Sequence, residues 1–190
     1  MAQIHTTKAF QRLNIAVMTV SDTRTEADDK SGKLLVERLT SAGHTLAEKA
    51  IVPDDIYKMR AVASRWIADE AVQAIVTTGG TGLTGRDSTP EALQALFDKT
   101  IDGFGELFRW LSWEEIGTST IQSRAIAGLA NGTPIFCLPG SSGACAMRCR
   151  TCRTGTNSTT SSSTMNLTGP WPISRPSSPA RRGPAPASSP

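Results

Sequence analysis

Residues 77–91 read Thr-Thr-Gly-Gly-Thr-Gly-Leu-Thr-Gly-Arg-Asp-Ser-Thr-Pro-Glu. Gly79, Gly80 and Gly82 leave the backbone free to approach a ligand and to turn its N–H groups inward around Thr81. Such a nest suits phosphate, as does the N-terminus of a helix, and Thr89-Pro90 has the residue types that open one. Gly80 to Gly85 also fits G-x-G-x-x-G, but a helix starting near Pro90 lies too far past the glycines for a dinucleotide site. A glycine-rich turn with no ligand is the plain alternative, and Arg86-Asp87 argues against it. A cation is expected beside an anion, whereas an acid there has its simplest purpose in holding Mg²⁺ on phosphates. A second acidic pair, Asp54-Asp55, follows an apolar run and Pro53. Both can be read as helix caps, and Asp55 is a good one. Asp54 stays available to point over the strand ends toward the glycines. Two carboxylates on neighbouring strand tips suit a metal–nucleotide site.

These residues need a scaffold that brings loops together, and the chain supplies one. Residues 13–20 form a nearly continuous apolar run, the pattern of a strand covered on both faces. Residues 31–40 read as a helix with Leu35 and Leu39 on one face and Gly43 as its stop, and 46–52 as a second strand. Behind Asp55, the apolar positions Ile56, Met59, Val62, Ala63, Trp66 and Ile67 form one helical stripe. Residues 72–77 are a third strand running into the glycines, and 133–138 a later one ending at Pro139-Gly140. Strands alternating with helices predict an α/β fold of three α/β/α layers around a mostly parallel sheet. Ligands on such sheets bind at the carboxyl ends of the strands, so function is expected in the loops after Val20, Val52, Thr78 and Leu138.

Composition divides the chain at about residue 143. The 190 residues carry 20 basic and 17 acidic side chains, but six of the arginines and none of the acids lie beyond Ala144. Residues 1–143 are therefore slightly acidic, which gives no support to nucleic-acid binding. No apolar run approaches the ~18 residues of a membrane span, and the first fourteen residues lack a signal-peptide pattern, so a cytoplasmic protein is expected. Residues 144–190 are dominated by Ser, Thr, Pro and Arg, with seven of the eleven prolines after Gly169, a composition expected to remain disordered. Its two Asn-x-Ser/Thr sites, Asn157 and Asn166, have no meaning without secretion. Cys145, Cys149 and Cys152 have the C-x3-C-x2-C spacing of an iron–sulfur site, but no fold follows to enclose a cluster, and the spacing reads as coincidence.

The glycine–aspartate segment, Gly103-Phe-Gly-Glu106 and Leu138-Pro-Gly-Ser141 together resemble the molybdopterin-binding family. Val20-Ser-Asp22, Asp29-Lys-Ser-Gly32 and residues 111–120 support the likeness, which covers about residues 10–143. The resemblance implies a domain over residues 1–143 and an activity, molybdopterin adenylyltransfer, in which ATP is co-substrate, molybdopterin is substrate and Mg²⁺ is required. It implies that Gly79, Gly80, Thr81 and Gly82 line the phosphate and pterin pocket, and that Asp54 and Asp87 serve Mg²⁺ and adenylyl transfer. It places Glu106, Ser112, Pro139, Gly140 and Ser141 on the pterin side and Ser21 and Asp22 on the nucleotide side. Homotrimers or homohexamers and other proteins of the molybdenum cofactor pathway are the implied partners. A non-catalytic pterin carrier is the alternative, and a product too poorly folded for activity is a third reading. Some family members lack acids at the positions of Asp54 and Asp87, whereas this chain keeps both. It departs from the family after Ser141-Ser-Gly-Ala-Cys145, where the family continues into a helix that packs on the sheet. The break motivates the expectation that the coding frame changes near Cys145–Arg148, testable by a one-base shift of the nucleotide sequence. Uncovered apolar surface would then favour instability.

Other candidates read plainly. His5 and His44 have no triad or ligand partners, and His44 follows Gly43 in a loop. Trp110 and Trp113 flank Ser112 and suit packing at a subunit contact better than a pocket wall. Glu114, Glu115, Lys30 and Lys33 suit solvent. Cys137, inside an apolar run, is expected to be buried.

Overall fold

The computed structural model describes residues 10–141, and the expectations for His5 and for residues 142–190 lie outside them. The first strand, β1 (Asn14–Val20), is buried from Ile15 onward, as its unbroken apolar run requires of an internal strand. It pairs in parallel with β2 (Thr45–Val52) on one side and β3 (Ala74–Thr78) on the other. In chain order β4 is Lys99–Thr100, β5 is Ile126–Ala130 and β6 is Thr133–Leu138. β3 pairs in parallel with β6, while β5 runs antiparallel to β6 and β4 antiparallel to β5. The strand order is β2-β1-β3-β6-β5-β4. The mostly parallel sheet is as expected, and the antiparallel edge is an addition.

Among the described residues, four α-helices accompany the sheet: α1 (Lys30–Ser41), α2 (Ile56–Ala68), α3 (Thr89–Gln94) and α4 (Asp102–Ile116), with a 3₁₀ turn at Gly117–Gln122. They lie in two layers. Met59, Ala63 and Trp66 of α2 and Ala92 and Leu93 of α3 pack with Ala16, Met18, Ile75, Ile135 and Cys137 from one face of the sheet. Leu35 and Leu39 of α1 and Phe104 and Phe108 of α4 pack with Ile15, Val17, Ala74, Phe136 and Leu138 from the other. The period-two alternation of strand residues between these cores is what makes a three-layer molecule.

The chain leaves β1 for β2 on one side and returns to place β3 on the other. The sheet therefore reverses its winding between β1 and β3, and the loops after Val20 and Thr78 depart on either side of a crevice there. No helix among the described residues is long and apolar enough to cross a membrane.

Two details depart from the sequence reading. His44 lies between helix and strand as read, but it is buried, with its Nδ1 accepting the Leu13 N–H at 3.2 Å and its ring 5.2 Å from that of Phe10. Burial lowers its pKa, in keeping with a neutral acceptor. α3 begins at Thr89, so Ser88 rather than Thr89 is the cap residue, for a reason that belongs to the site.

Candidate functional site

The site forms where the loops after β1, β2, β3 and β6 meet. Gly79 donates its N–H to Leu138 O at 3.1 Å, and a Cβ on it would stand 2.3 Å from Val20 O. With φ of 101° and no room for a side chain, glycine is required there. Gly140 lies against Gly79 in turn, and the Thr78 hydroxyl donates to Pro139 O at 3.2 Å. The tips of β1, β3 and β6 are thus closed on one another by backbone contacts. Gly80, with φ of 60°, has the Thr89 hydroxyl 2.3 Å and Asp54 Oδ2 2.8 Å from where its Cβ would be.

Thr89 was read as a helix cap, but its hydroxyl donates to Gly79 O at 3.0 Å and its N–H to Gly80 O at 2.9 Å, so it staples the glycine turn. Ser88 takes the cap position without capping, because its hydroxyl and N–H both donate to Asp54 Oδ1, at 2.8 and 3.1 Å. Asp54 therefore reaches from the tip of β2 to the end of the glycine loop, but β2 and β3 are not the neighbouring strands expected from sequence: β1 lies between them, and Asp54 crosses its tip. Asp55 beside it caps α2, accepting from Tyr57 and Lys58 N–H at 2.9 Å. Asp87 closes the loop from within: its carboxylate accepts the Thr84 hydroxyl and the Thr84 N–H, the latter at 3.1 Å. The Thr84 hydroxyl, aided by the N–H groups of Thr84 and Gly82 and the charge of Arg124, outweighs partial burial and holds Asp87 below the ordinary carboxylate range.

Asp54 thus bonds to Ser88, the residue that follows Asp87, and each of the two acids has a carboxylate oxygen at a place a glycine leaves empty. Asp54 Oδ2 lies 2.8 Å from the Cβ position of Gly80, and Asp87 Oδ2 2.5 Å from that of Gly82. The donor set fits Mg²⁺, which takes one or two carboxylates from a protein and completes its shell with phosphate and water. A group of three or more His, Cys, Asp or Glu able to hold a metal does not occur among the described residues.

The remaining predicted residues divide. Thr81 is buried in the glycine turn, and Gly82 is exposed at its edge. The Ser21 hydroxyl accepts the Thr23 and Arg24 N–H groups at 3.3 and 3.2 Å, organising its own loop. Asp22 Oδ1 accepts the Asp54 N–H at 3.2 Å, and its Oδ2 pairs with Arg86. Pro139 and Gly140 are half-buried beside Gly79, and Ser141 is exposed. Glu106 and Ser112 belong to α4, in the layer opposite α3; Glu106 is exposed, whereas Ser112 is buried with its hydroxyl donating to Phe108 O at 2.7 Å. That bond ties Ser112 to its own helix. Lys30, Lys33, Glu114 and Glu115 are exposed, and Cys137 is buried with its thiol pushed up to about 12 by desolvation.

Sequence reasoning missed Arg124, which precedes β5. Its guanidinium donates to Gly82 O at 2.8 Å and Asp87 O at 3.4 Å and pairs with Glu91, so it spans both ends of the segment 83–86. No local motif marks it. Asp29 appeared only inside a matching stretch. It is fully buried, accepting the Thr19 hydroxyl at 2.9 Å and the Gly32 N–H at 2.8 Å, with Lys49 Nζ 2.9 Å away. Burial raises its pKa, but the bonds from Lys49, Gly32 and Thr19 outweigh this and keep it low. This clamp anchors the far end of the loop that carries Ser21 and Asp22.

Comparison with known proteins agrees with this architecture. A family described as "probable molybdopterin binding domain" matches residues 16–152. The chain is 54% identical over 145 residues to molybdenum cofactor biosynthesis protein B of Escherichia coli (strain K12), covering 76% of this chain and 84% of that one. A crystal structure of molybdenum cofactor biosynthesis protein B superposes with a TM-score of 0.71 at 46% identity, covering 74% of this chain and 88% of that one. The tungsten cofactor synthesizing protein MoaB from Pyrococcus furiosus superposes with a TM-score of 0.67 at 38% identity, covering 75% and 91%.

Proposed function

The chain belongs to the molybdopterin-binding domain family of molybdenum cofactor biosynthesis proteins, and on that premise we propose that it binds molybdopterin and adenylylates it with Mg-ATP. What supports this most is that Asp54 reaches across to bond Ser88, the residue after Asp87, and that each acid has a carboxylate oxygen against a glycine of the same loop. A pterin-binding carrier has no need of two acids beside an anion nest. An enzyme that joins two polyanions does.

In the proposed reaction a phosphate oxygen of the pterin attacks the α-phosphorus of ATP. The bond between the α-phosphorus and the bridging oxygen to the β-phosphate breaks, pyrophosphate leaves, and AMP remains joined to the pterin phosphate. Asp54 and Asp87 would hold Mg²⁺, whose chemistry is to neutralise the phosphates and the developing charge on the leaving group. The chain's own contribution is positional. Gly79 and Gly80 let the loop close against Val20, Thr89 and Asp54, the Thr89 bonds hold the turn in shape, and the Ser88 bonds fix the direction of Asp54.

The test is pyrophosphate release by the full chain with molybdopterin, ATP and Mg²⁺, alongside Asp54→Asn and Asp87→Asn. Turnover is expected to fall roughly 10²-fold or more in each variant, the order of loss when one charge-stabilising group is removed. Pterin binding, followed by its fluorescence, is expected to persist in both variants. Pterin binding by the wild-type chain without pyrophosphate release would establish the carrier instead. We further propose that the chain assembles as a trimer or hexamer.

A further inference from the structure

Arg86 stands on the glycine loop with its side chain 77% exposed, and its guanidinium reaches the Asp22 carboxylate on the loop after β1. Those two loops leave the reversal point of the sheet on opposite sides, so the ion pair lies across the crevice between them. The two partners are not held alike. Asp22 keeps a second attachment through Oδ1, which accepts the Asp54 N–H at 3.2 Å, and its side chain is 30% exposed. Arg86 extends from the exposed tip of its loop. An exposed ion pair contributes little in water, whereas a guanidinium and a phosphate make two parallel charge-assisted bonds. Any polyphosphate entering the crevice offers Arg86 the better partner, and Asp22 retains the Asp54 N–H when Arg86 leaves.

We propose that Arg86 binds the polyphosphate of the nucleotide, and that Asp22 is the counter-ion that holds Arg86 aside until the nucleotide binds rather than a contact of the ligand. This rests on the reading that the crevice takes a nucleoside triphosphate. It gives Asp22 the opposite sign of effect from a binding residue: it competes for Arg86 and adds negative charge beside a polyanion. Removing the charge of Asp22 therefore strengthens binding, and removing that of Arg86 weakens it.

The experiment is calorimetric titration of the full chain with magnesium α,β-methylene-ATP, with inorganic triphosphate and with adenosine. Arg86→Ala is expected to weaken the analogue and triphosphate roughly tenfold or more, the scale of losing one or two charged hydrogen bonds. Its adenosine affinity is expected to stay unchanged, and Arg86→Lys to recover part of the loss. Asp22→Asn is expected to tighten both phosphate ligands several-fold, by the removal of one like charge at close range. Arg86→Ala binding triphosphate as tightly as wild type would overturn the role of Arg86 and leave the nucleotide reading standing. Weaker binding by Asp22→Asn, in protein with an unchanged melting temperature, would overturn the counter-ion role. If the wild-type chain binds neither phosphate ligand, the nucleotide reading and this proposal fall together.

Discussion

Arg124 belongs to no motif, yet it carries the loop on which Asp87 sits. Its bonds to Gly82 O and Asp87 O close the two ends of a surface segment whose residues 83–86 are exposed. Planarity and the number of donors matter here, because one lysine nitrogen cannot serve two carbonyls and a carboxylate in that geometry. Arg124→Lys is therefore expected to lower adenylyl transfer about tenfold, with the larger part in kcat, because it misplaces Asp87 without removing a ligand contact. A melting curve close to wild type together with that loss checks the assignment. Asp54 and Asp87 were legible because each adjoins a feature with its own signature, a strand end and a glycine run. Arg124, Ser88 and Thr89 were not, because each acts on partners distant in sequence. Thr89 even carries a misleading signal, since Thr-Pro is what a helix cap looks like.

At the scale of elements, the loop between β1 and α1 is fixed by the buried Asp29–Lys49 pair. Gly32 follows from it, because a Cβ there would stand 2.1 Å from Asp29 Oδ2 and 2.4 Å from Thr19 Oγ1. Removing one partner of a buried pair strands the other charge, so Lys49→Met is expected to cost about 3–5 kcal/mol of stability by chemical denaturation. The pH dependence follows from the two shifts. Asp29 has its pKa lowered from 3.8, so its stabilisation is present above that value and is lost as pH falls through the folded pKa. Lys49 is desolvated, but its bonds to Glu26 and Asp29 prevail and raise its pKa from 10.5, so its stabilisation is present below that value and is lost as pH rises through the folded pKa. A plateau between about 3.8 and 10.5 is expected from this pair, with an acid limb that flattens in Asp29→Asn; an unchanged limb would remove the pair from the account. The parallel strands and α2 were readable from periodicity, with bounds within about two residues. α4 was not. Its buried face is Phe104, Gly105, Phe108 and Ser112, while Trp110 and Trp113 are exposed, so its two largest side chains lie off the buried side and blur the stripe. β5 holds few large side chains, and its Gly128 is required by the ring of Phe97, which lies where a Cβ would be. The Asn131-Gly132 turn, both residues at positive φ, was a hairpin signal between β5 and β6 that the reading passed over.

Over the whole molecule, the reversal of winding between β1 and β3 places the glycine loop, Asp54 and the Asp22–Arg86 pair at one end of the sheet. That result follows from chain order and the preference of parallel strands for a central position, which is why the site's location could be stated from sequence before its geometry. What lies on the outside was less accessible. Trp110, Trp113, Ile116 and Ile121 are 62%, 55%, 51% and 80% exposed along α4 and the turn that follows it. Large apolar side chains grouped in this way mark a contact surface, which the proposed assembly would use. Trp110→Ser combined with Trp113→Ser is expected to shift the mass by light scattering from trimer or hexamer toward monomer, with helical content retained. A wild-type chain that runs as a monomer would contradict the assembly. One measurement tests the proposed chemistry directly: transfer of label from α-³²P-ATP to molybdopterin by the full chain, beside Asp87→Asn. Labelled adenylylated pterin is expected from the wild type, with formation slowed roughly 10²-fold in the variant. Pterin bound by the wild type without label, or equal labelling by both proteins, would contradict it.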